Sequence, residues 1–176
     1  NSPDEMIFNK SPNNIFDKKK INLISASWST NKKKGMDDYK WLDENLKSGI
    51  NYSFIGRLDF IPKSMQLIEP LDQKALADKL KNSDIFLFAA INESCPNILI
   101  EAIACGLPII YKNSGGSKEL VKEFGLPYNE VTEIPKILSK LIENYDYYKK
   151  LVLNYSQPDA SNLYEKIIQR MLYKKL

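Results

Sequence analysis

The sequence predicts an α/β fold of three layers, with a mostly parallel sheet, helices on both faces and a helical C-terminus. Three observations predict it. Short apolar runs alternate with stretches of helical period along most of the chain. The run DIFLFA at residues 84–89 is apolar without alternation, as strands covered on both faces are. The chain has 176 residues, 43% of them hydrophobic, enough for one domain that hides roughly 70% of its unfolded surface.

The elements follow in order. Pro3, Pro12 and the Asn13-Asn14 pair punctuate the first twenty residues, where Met6-Ile7-Phe8 reads as a short strand or a docking segment. A strand at 21–26 leads into a polar loop, 28–35, that carries Lys32, Lys33 and Lys34. Asp37 is placed to cap a helix running to about residue 47, with Tyr39, Leu42 and Leu46 inward. Strands are expected at 51–55 and 65–68, then a helix capped by Asp72 with Leu76 and Leu80 inward. After the buried strand comes a helix over 96–105, begun by Pro96 and stopped by Gly106. A strand at 108–111, the turn Ser114-Gly115-Gly116-Ser117, a short helix at 118–122 and an edge strand at 126–128 complete the sheet. Helices are expected over 133–144, 147–154 and 160–174, the last set apart by Pro158.

Composition removes several function classes. The net charge of +3 is too small to argue for nucleic acid, and no aromatic residues interleave the lysine runs. The chain has no histidine, which takes away the commonest general base and metal ligand. Cys95 and Cys105 lack metal-ligand spacing and read as buried or semi-buried thiols of a reducing compartment. No apolar stretch reaches the length of a membrane span, and no signal peptide is visible. The first residue is Asn1, which suggests a cut fragment or a processed chain.

Sites in such Rossmann-like sheets lie beyond the carboxyl ends of the strands. Three polar features fall there: the loop 28–35, the loop 90–97 and the turn 114–117. The richest stretch is 92–108, NESCPNILIEAIACGLP, where Glu93 and Glu101 flank a helix start in an apolar run. A carboxylate is costly to bury there without a partner. Glutamates accept hydrogen bonds from vicinal hydroxyls, and a helix start near Pro96 and Asn97 offers N–H groups and a positive dipole end to an anion. Acids beside a phosphate seat suit a nucleotide-sugar. A capping acid and a solvent-facing helix residue are the plainer readings of Glu93 and Glu101. For Gly115-Gly116, simple turn chemistry and a backbone approach to a nucleotide are both open.

Glu93 with Glu101 eight positions on, followed by Ala102, Ala104, Gly106, Leu107 and Pro108, resembles the signature of group 1 (family 4) retaining glycosyltransferases of the GT-B fold. Other matches stand in order: Ile7-Phe8-Asn9 with Phe16 for the linker into the C-terminal domain, Lys34-Gly35, Ser83-Asp84 and Gly115-Gly116 with Glu119. The resemblance implies a donor-binding C-terminal domain. It assigns Glu93 to the donor-sugar hydroxyls near the scissile bond and Lys34 to the diphosphate as the catalytic pair. Glu101 would bind the ribose. Backbone groups of Cys95, Pro96, Asn97 and Ile98 would hold the distal phosphate, with Gly115 and Gly116 also lining the nucleotide-sugar. It implies no cofactor and no metal, since lysine and a helix dipole stabilise the leaving diphosphate. One departure stands out. The family's arginine at the end of the first strand is missing from Ser25-Ala26-Ser27-Trp28-Ser29, leaving Lys32, Lys33 or Arg57 to compensate.

The expected organisation is an interdomain linker at 1–20, a nucleotide-sugar-binding domain at 21–157 and a C-terminal helix at 158–176 that packs on an absent N-terminal domain. That domain, of the same polypeptide, would bind the acceptor and carry any peripheral contact with the inner membrane face from the cytoplasm. Tyr145, Tyr147, Tyr148, Tyr155, Tyr164 and Tyr173 read as helix packing and interdomain surface. The expected function is hexosyl transfer to a glycan or lipid-linked acceptor, as in polysaccharide biosynthesis, with the isolated piece inactive. A non-catalytic or split-subunit nucleotide-sugar-binding module is the alternative. A sugar-nucleotide epimerase fits poorly without histidine. Thiol catalysis at Cys95 does too, since no histidine is present to activate it.

Overall fold

The structure is a computed structural model that describes residues 3–10, 16–46, 48–155, 165 and 168–171. Six strands, β1 (Ile21–Ser27), β2 (Ile50–Gly56), β3 (Gln66–Ile68), β4 (Ile85–Phe88), β5 (Ile109–Lys112) and β6 (Gly125–Tyr128), form one sheet in the order β3-β2-β1-β4-β5-β6. Every pairing is parallel. The strand order reverses between β1 and β4, so the crevice beyond their carboxyl ends is the topological switch point where such sheets place ligands. β4 is buried at all four positions, the reason its sequence shows no alternation.

The helices α1 (Met36–Asn45), α2 (Gln73–Lys81), α3 (Asn97–Ala104), α4 (Ser117–Val121), α5 (Ile134–Glu143) and α6 (Tyr145–Asn154) cover the sheet. Two cores result, one on each face. Phe86, Phe88, Leu99, Ile103 and Leu80 centre one, and Tyr39, Leu42, Phe54, Leu87 and Leu138 the other. Asp72 caps α2 as its position predicts, accepting from the Ala75 N–H at 2.9 Å.

Several expectations change. α1 is capped by Gly35, not by Asp37, which lies in its first turn. Gly35 has φ +86°, and a Cβ there would meet Ala89 O at 2.6 Å, so no side-chain-bearing residue fits this junction. Lys32–Lys34, expected as loop, forms a turn of 3-10 helix capped by Asn31, whose side chain accepts from the Lys33 N–H. Leu46, just past the end of α1, is half-buried and packs against the second core. The expected helix over 133–144 is a 3-10 turn at Val131–Glu133 followed by α5, and α6 begins two residues early at Tyr145.

The stretch Met6-Ile7-Phe8 is a turn and not a strand, and it docks through Phe8, which is 2% exposed within the first core. Lys10 ties the same segment down by donating to Leu153 O and Tyr155 O, each at 2.6 Å. Phe16 stacks on Tyr145 at 3.5 Å between ring centroids. Tyr145 and Tyr148 are buried and Tyr147 is exposed. Most of the helix expected at 160–174, with Pro158, Tyr164 and Tyr173, lies outside the described residues.

Asp43 is a buried acid that no motif marks. Its carboxylate accepts from the N–H groups of Lys63, Ser64 and Met65 at 2.6, 2.8 and 2.6 Å, fixing the loop into β3. Burial pushes this carboxyl up, but the hydrogen bonds from Lys63, Met65 and Ser64 outweigh it and hold it below its ordinary value. Asp43→Asn turns one acceptor into a donor facing an N–H. It is expected to cost about 2–3 kcal/mol in urea denaturation at neutral pH. With the folded value depressed, the stabilisation present above the unfolded value is lost as pH falls through the folded one, so the gap to wild type closes in acid.

Candidate donor-binding site

A cavity of about 460 Å³ opens beyond β1 and β4. Ala26, Ser27 and Trp28 line it from the end of β1, and Ala90, Glu93 and Cys95 from the loop after β4. Pro96, Asn97, Ile98 and Glu101 line it from α3. Two of the three loops singled out in the sequence therefore converge on one hollow.

Lys34 and Glu93, 59 residues apart in sequence, form an ion pair at 2.5 Å with side chains 34% and 27% exposed. The segments that carry them are joined as well, since the Ile91 N–H donates to Lys33 O at 2.8 Å. The 3-10 turn presents Lys34 half-buried, while Lys32 and Lys33 are exposed and do not line the cavity. Lys34 is the one cation among the described residues that do.

Pro96 stands at the N-cap of α3, where its side chain offers no acceptor to the helix start. That end therefore faces the cavity with its positive dipole uncapped by a side chain. Glu101 follows on the same helix, about one turn deeper, half-buried. Burial pushes its carboxyl above the ordinary value, the direction expected when desolvation acts without a compensating cation.

Three sequence-based assignments do not reach the cavity wall. Arg57 is exposed beyond β2 and contributes only its N–H, which donates to Ser27 O at 2.9 Å. Gly115 and Gly116 lie beneath the Glu93 loop. A Cβ on Gly115 would meet Glu93 O at 2.4 Å, and one on Gly116 would meet Ser94 O at 2.1 Å. The Gly116 N–H also donates to Glu93 O at 2.8 Å. Here the glycines permit a close approach of protein to protein. Cys95 is exposed at the cavity, against the expectation of a buried or semi-buried thiol. Cys105 is buried, and burial pushes its thiol up to about 12.

Sequence reasoning missed Tyr39, Leu71 and Gln73, which also line the hollow. Tyr39 is buried, accepts from the Ala89 N–H at 3.2 Å, and has its phenol raised chiefly by burial. Its helical spacing marks it only as core. Leu71 and Gln73 flank the Asp72 cap, a signal that locates a helix start and says nothing of a ligand.

The family model for glycosyl transferases group 1 matches residues 60–157, more than half of the chain, taking in Glu93 and Glu101 but not Lys34. Protein CapJ of Staphylococcus aureus is 28% identical over 111 residues, 60% of this chain and 28% of its own length. Anabaena HepE, solved in complex with UDP-glucose, superposes with a TM-score of 0.65 at 16% identity, over 88% of this chain and 50% of HepE. Sucrose-phosphate synthase from Thermosynechococcus elongatus superposes with a TM-score of 0.72 at 13% identity, over 99% of this chain and 52% of the synthase. The chain thus spans about half of these solved neighbours and little more than a quarter of CapJ. At these identities the superpositions show the fold, a Rossmann-like half of the GT-B architecture. The chain belongs to the group 1 glycosyltransferase family.

Proposed function

We propose that this chain is the donor-binding half of a retaining glycosyltransferase that moves a hexose from a nucleotide-sugar to a glycan or lipid-linked acceptor. The observation that carries the reading is the Lys34–Glu93 pair in the cavity that the start of α3 and Glu101 also line. Backbone groups around Pro96, Asn97 and Ile98 seat the distal phosphate, and Lys34 offsets the charge that grows on the diphosphate as the glycosidic bond breaks. Glu93 orients the sugar hydroxyls, and Glu101 accepts from the ribose diol. No metal is required in this scheme. The uridine nucleotide bound by HepE makes UDP-sugars the first donors to try.

The acceptor site falls to an N-terminal domain of the same polypeptide, working in the cytoplasm with peripheral membrane contact through that half. Among the described residues no helix is long and apolar enough to cross a membrane. A second reading, a non-catalytic module acting through a partner chain, is favoured by one feature. Trp28 occupies the cavity edge after β1, where the family's arginine is expected.

A thermal-shift screen of UDP-, GDP-, ADP- and CDP-sugars on the parent protein tests both. One donor class is expected to raise the melting temperature by several degrees. Slow release of free hexose from that donor, abolished by Glu93→Gln, supports the enzyme. Stabilisation without turnover supports the binding module. No shift with any of the four overturns the donor site.

A further inference from the structure

Behind the cavity, outside its lining, lies a second polar cluster. The Asp38 carboxylate on α1 accepts from the Tyr128 hydroxyl at 2.8 Å and from Lys112 Nζ at 3.3 Å. Lys112 and Asp38 side chains are 21% and 18% exposed, and the Lys112 ammonium also sits 5.0 Å from the centre of the Tyr128 ring. Burial, then the Asp38 charge, raise the Tyr128 phenol well above its ordinary value, so it stays a donor. None of the three residues lines the cavity.

Their place in the chain gives the cluster a use. Asp38 stands four residues after Lys34, just past the Gly35 junction that Ala89 packs against. Lys112 ends β5 and leads directly into the turn beneath the Glu93 loop. In that turn Ser114 Oγ accepts from the Asn92 N–H at 3.0 Å, and the Gly116 N–H reaches Glu93 O at 2.8 Å. A closed ring results: Lys34 to Asp38 through α1, Asp38 to Lys112, Lys112 to Gly116 along the chain, Gly116 to Glu93, and Glu93 back to Lys34. A ring of short, satisfied links restrains the separation of its members more tightly than any one link does.

We propose that Asp38 is a positioning residue for the donor site, its pairing with Lys112 and Tyr128 setting where Lys34 stands relative to Glu93 and the α3 start. This rests on the donor-site reading for its functional consequence, but its structural content does not. Small displacements of a charged group from a phosphate lose much of its effect. The diphosphate, which Lys34 meets, is therefore sensitive to Asp38. A nucleoside monophosphate, held through the ribose at Glu101 and lacking the distal phosphate, is not.

The experiment uses Asp38→Asn, Lys112→Met and Lys112→Arg with two readouts. In the free chain, amide hydrogen exchange at Ile91 and Gly116 is expected to quicken about fivefold or more in Asp38→Asn and Lys112→Met, with the amides of β2 unchanged; Lys112→Arg restores wild-type rates. In titrations with uridine and guanosine nucleotides, the affinity for the diphosphate is expected to fall about 5- to 10-fold while that for the monophosphate holds within about twofold. A parallel loss for both nucleotides, or a loss that Lys112→Arg does not rescue, assigns the cluster to general stability and overturns the proposal. Unchanged exchange at Ile91 and Gly116 overturns it whatever the nucleotides do. Altered exchange with no nucleotide bound even by wild type leaves the ring standing and defeats the donor-site reading instead.

Discussion

Glu101→Gln is expected to weaken nucleoside diphosphate binding by about 10- to 100-fold and, in the same protein, to raise the melting temperature of the free chain. The first effect follows from replacing a charged acceptor of two hydroxyl donors by a neutral amide. Hydrogen bonds to charged groups contribute about 1.5–3 kcal/mol, and about 1.4 kcal/mol is a factor of ten in affinity. The second follows from burial, which raises the Glu101 carboxyl above its ordinary value. In the window between the unfolded and the folded value, the folded chain binds more protons than the unfolded one. Stability therefore falls as pH rises through that window, and the lost part stays lost above it. The stability gap between Glu101→Gln and wild type should be absent in acid, open across the window and level off toward neutral pH. Nucleotide affinity of wild type should move the opposite way, strengthening as Glu101 ionises. Scanning calorimetry and nucleotide titrations across pH check both. A melting temperature that drops on substitution would mean Glu101 is a structural partner and not a strained ligand group.

Lys34→Met is expected to lower diphosphate affinity by at least about 30-fold, because Lys34 is the one cation among the described residues lining the cavity. The loss should be steeper for the diphosphate than for the monophosphate. Lys34→Arg should recover only part of it, since a planar guanidinium cannot occupy the place of a compact ammonium paired with Glu93. Glu93→Gln should separate from both. It should leave bare nucleotide affinity within about threefold and remove the preference for nucleotide-sugar, as expected for a side chain that meets the sugar alone. Equal losses for all ligands in all three variants would merge the roles assigned to them. Stability is a weak readout here, since a partly exposed ion pair contributes little.

The architecture was legible because its signals are local. DIFLFA, the Asp72 cap and the Gly106 stop each act within a few residues, and the strands and α-helices from β1 to α6 sit within a few positions of their expected places. Glu93, Lys34, Glu101 and the α3 start were legible for a different reason. The strand-end rule for parallel sheets collects residues distant in sequence at one edge. What stayed hidden is what depends on three-dimensional neighbours. Asp43 reads as one more charge on a helix until residues 63–65 fold over it. The Gly115-Gly116 pair signals a close approach without saying to what, and the answer is the backbone of Glu93 and Ser94. Arg57 follows directly on β2 at the carboxyl edge, as Lys34 follows β1 in the 3-10 turn. Its side chain nevertheless lies outside the cavity wall, because β2 stands one place away from the switch point.

The central claim is that two acids, one lysine and a helix start form a single seat for an activated sugar. Amide and side-chain NMR shifts of the isotope-labelled chain, followed during titration with UDP and GDP, test it most directly. The account predicts saturable shifts from one nucleotide concentrated at Lys34, Glu93, 96–98 and Glu101, with residues of β6 and α5 unmoved. Signals at those positions unchanged at millimolar nucleotide, or shifts gathered at a different surface, would contradict it.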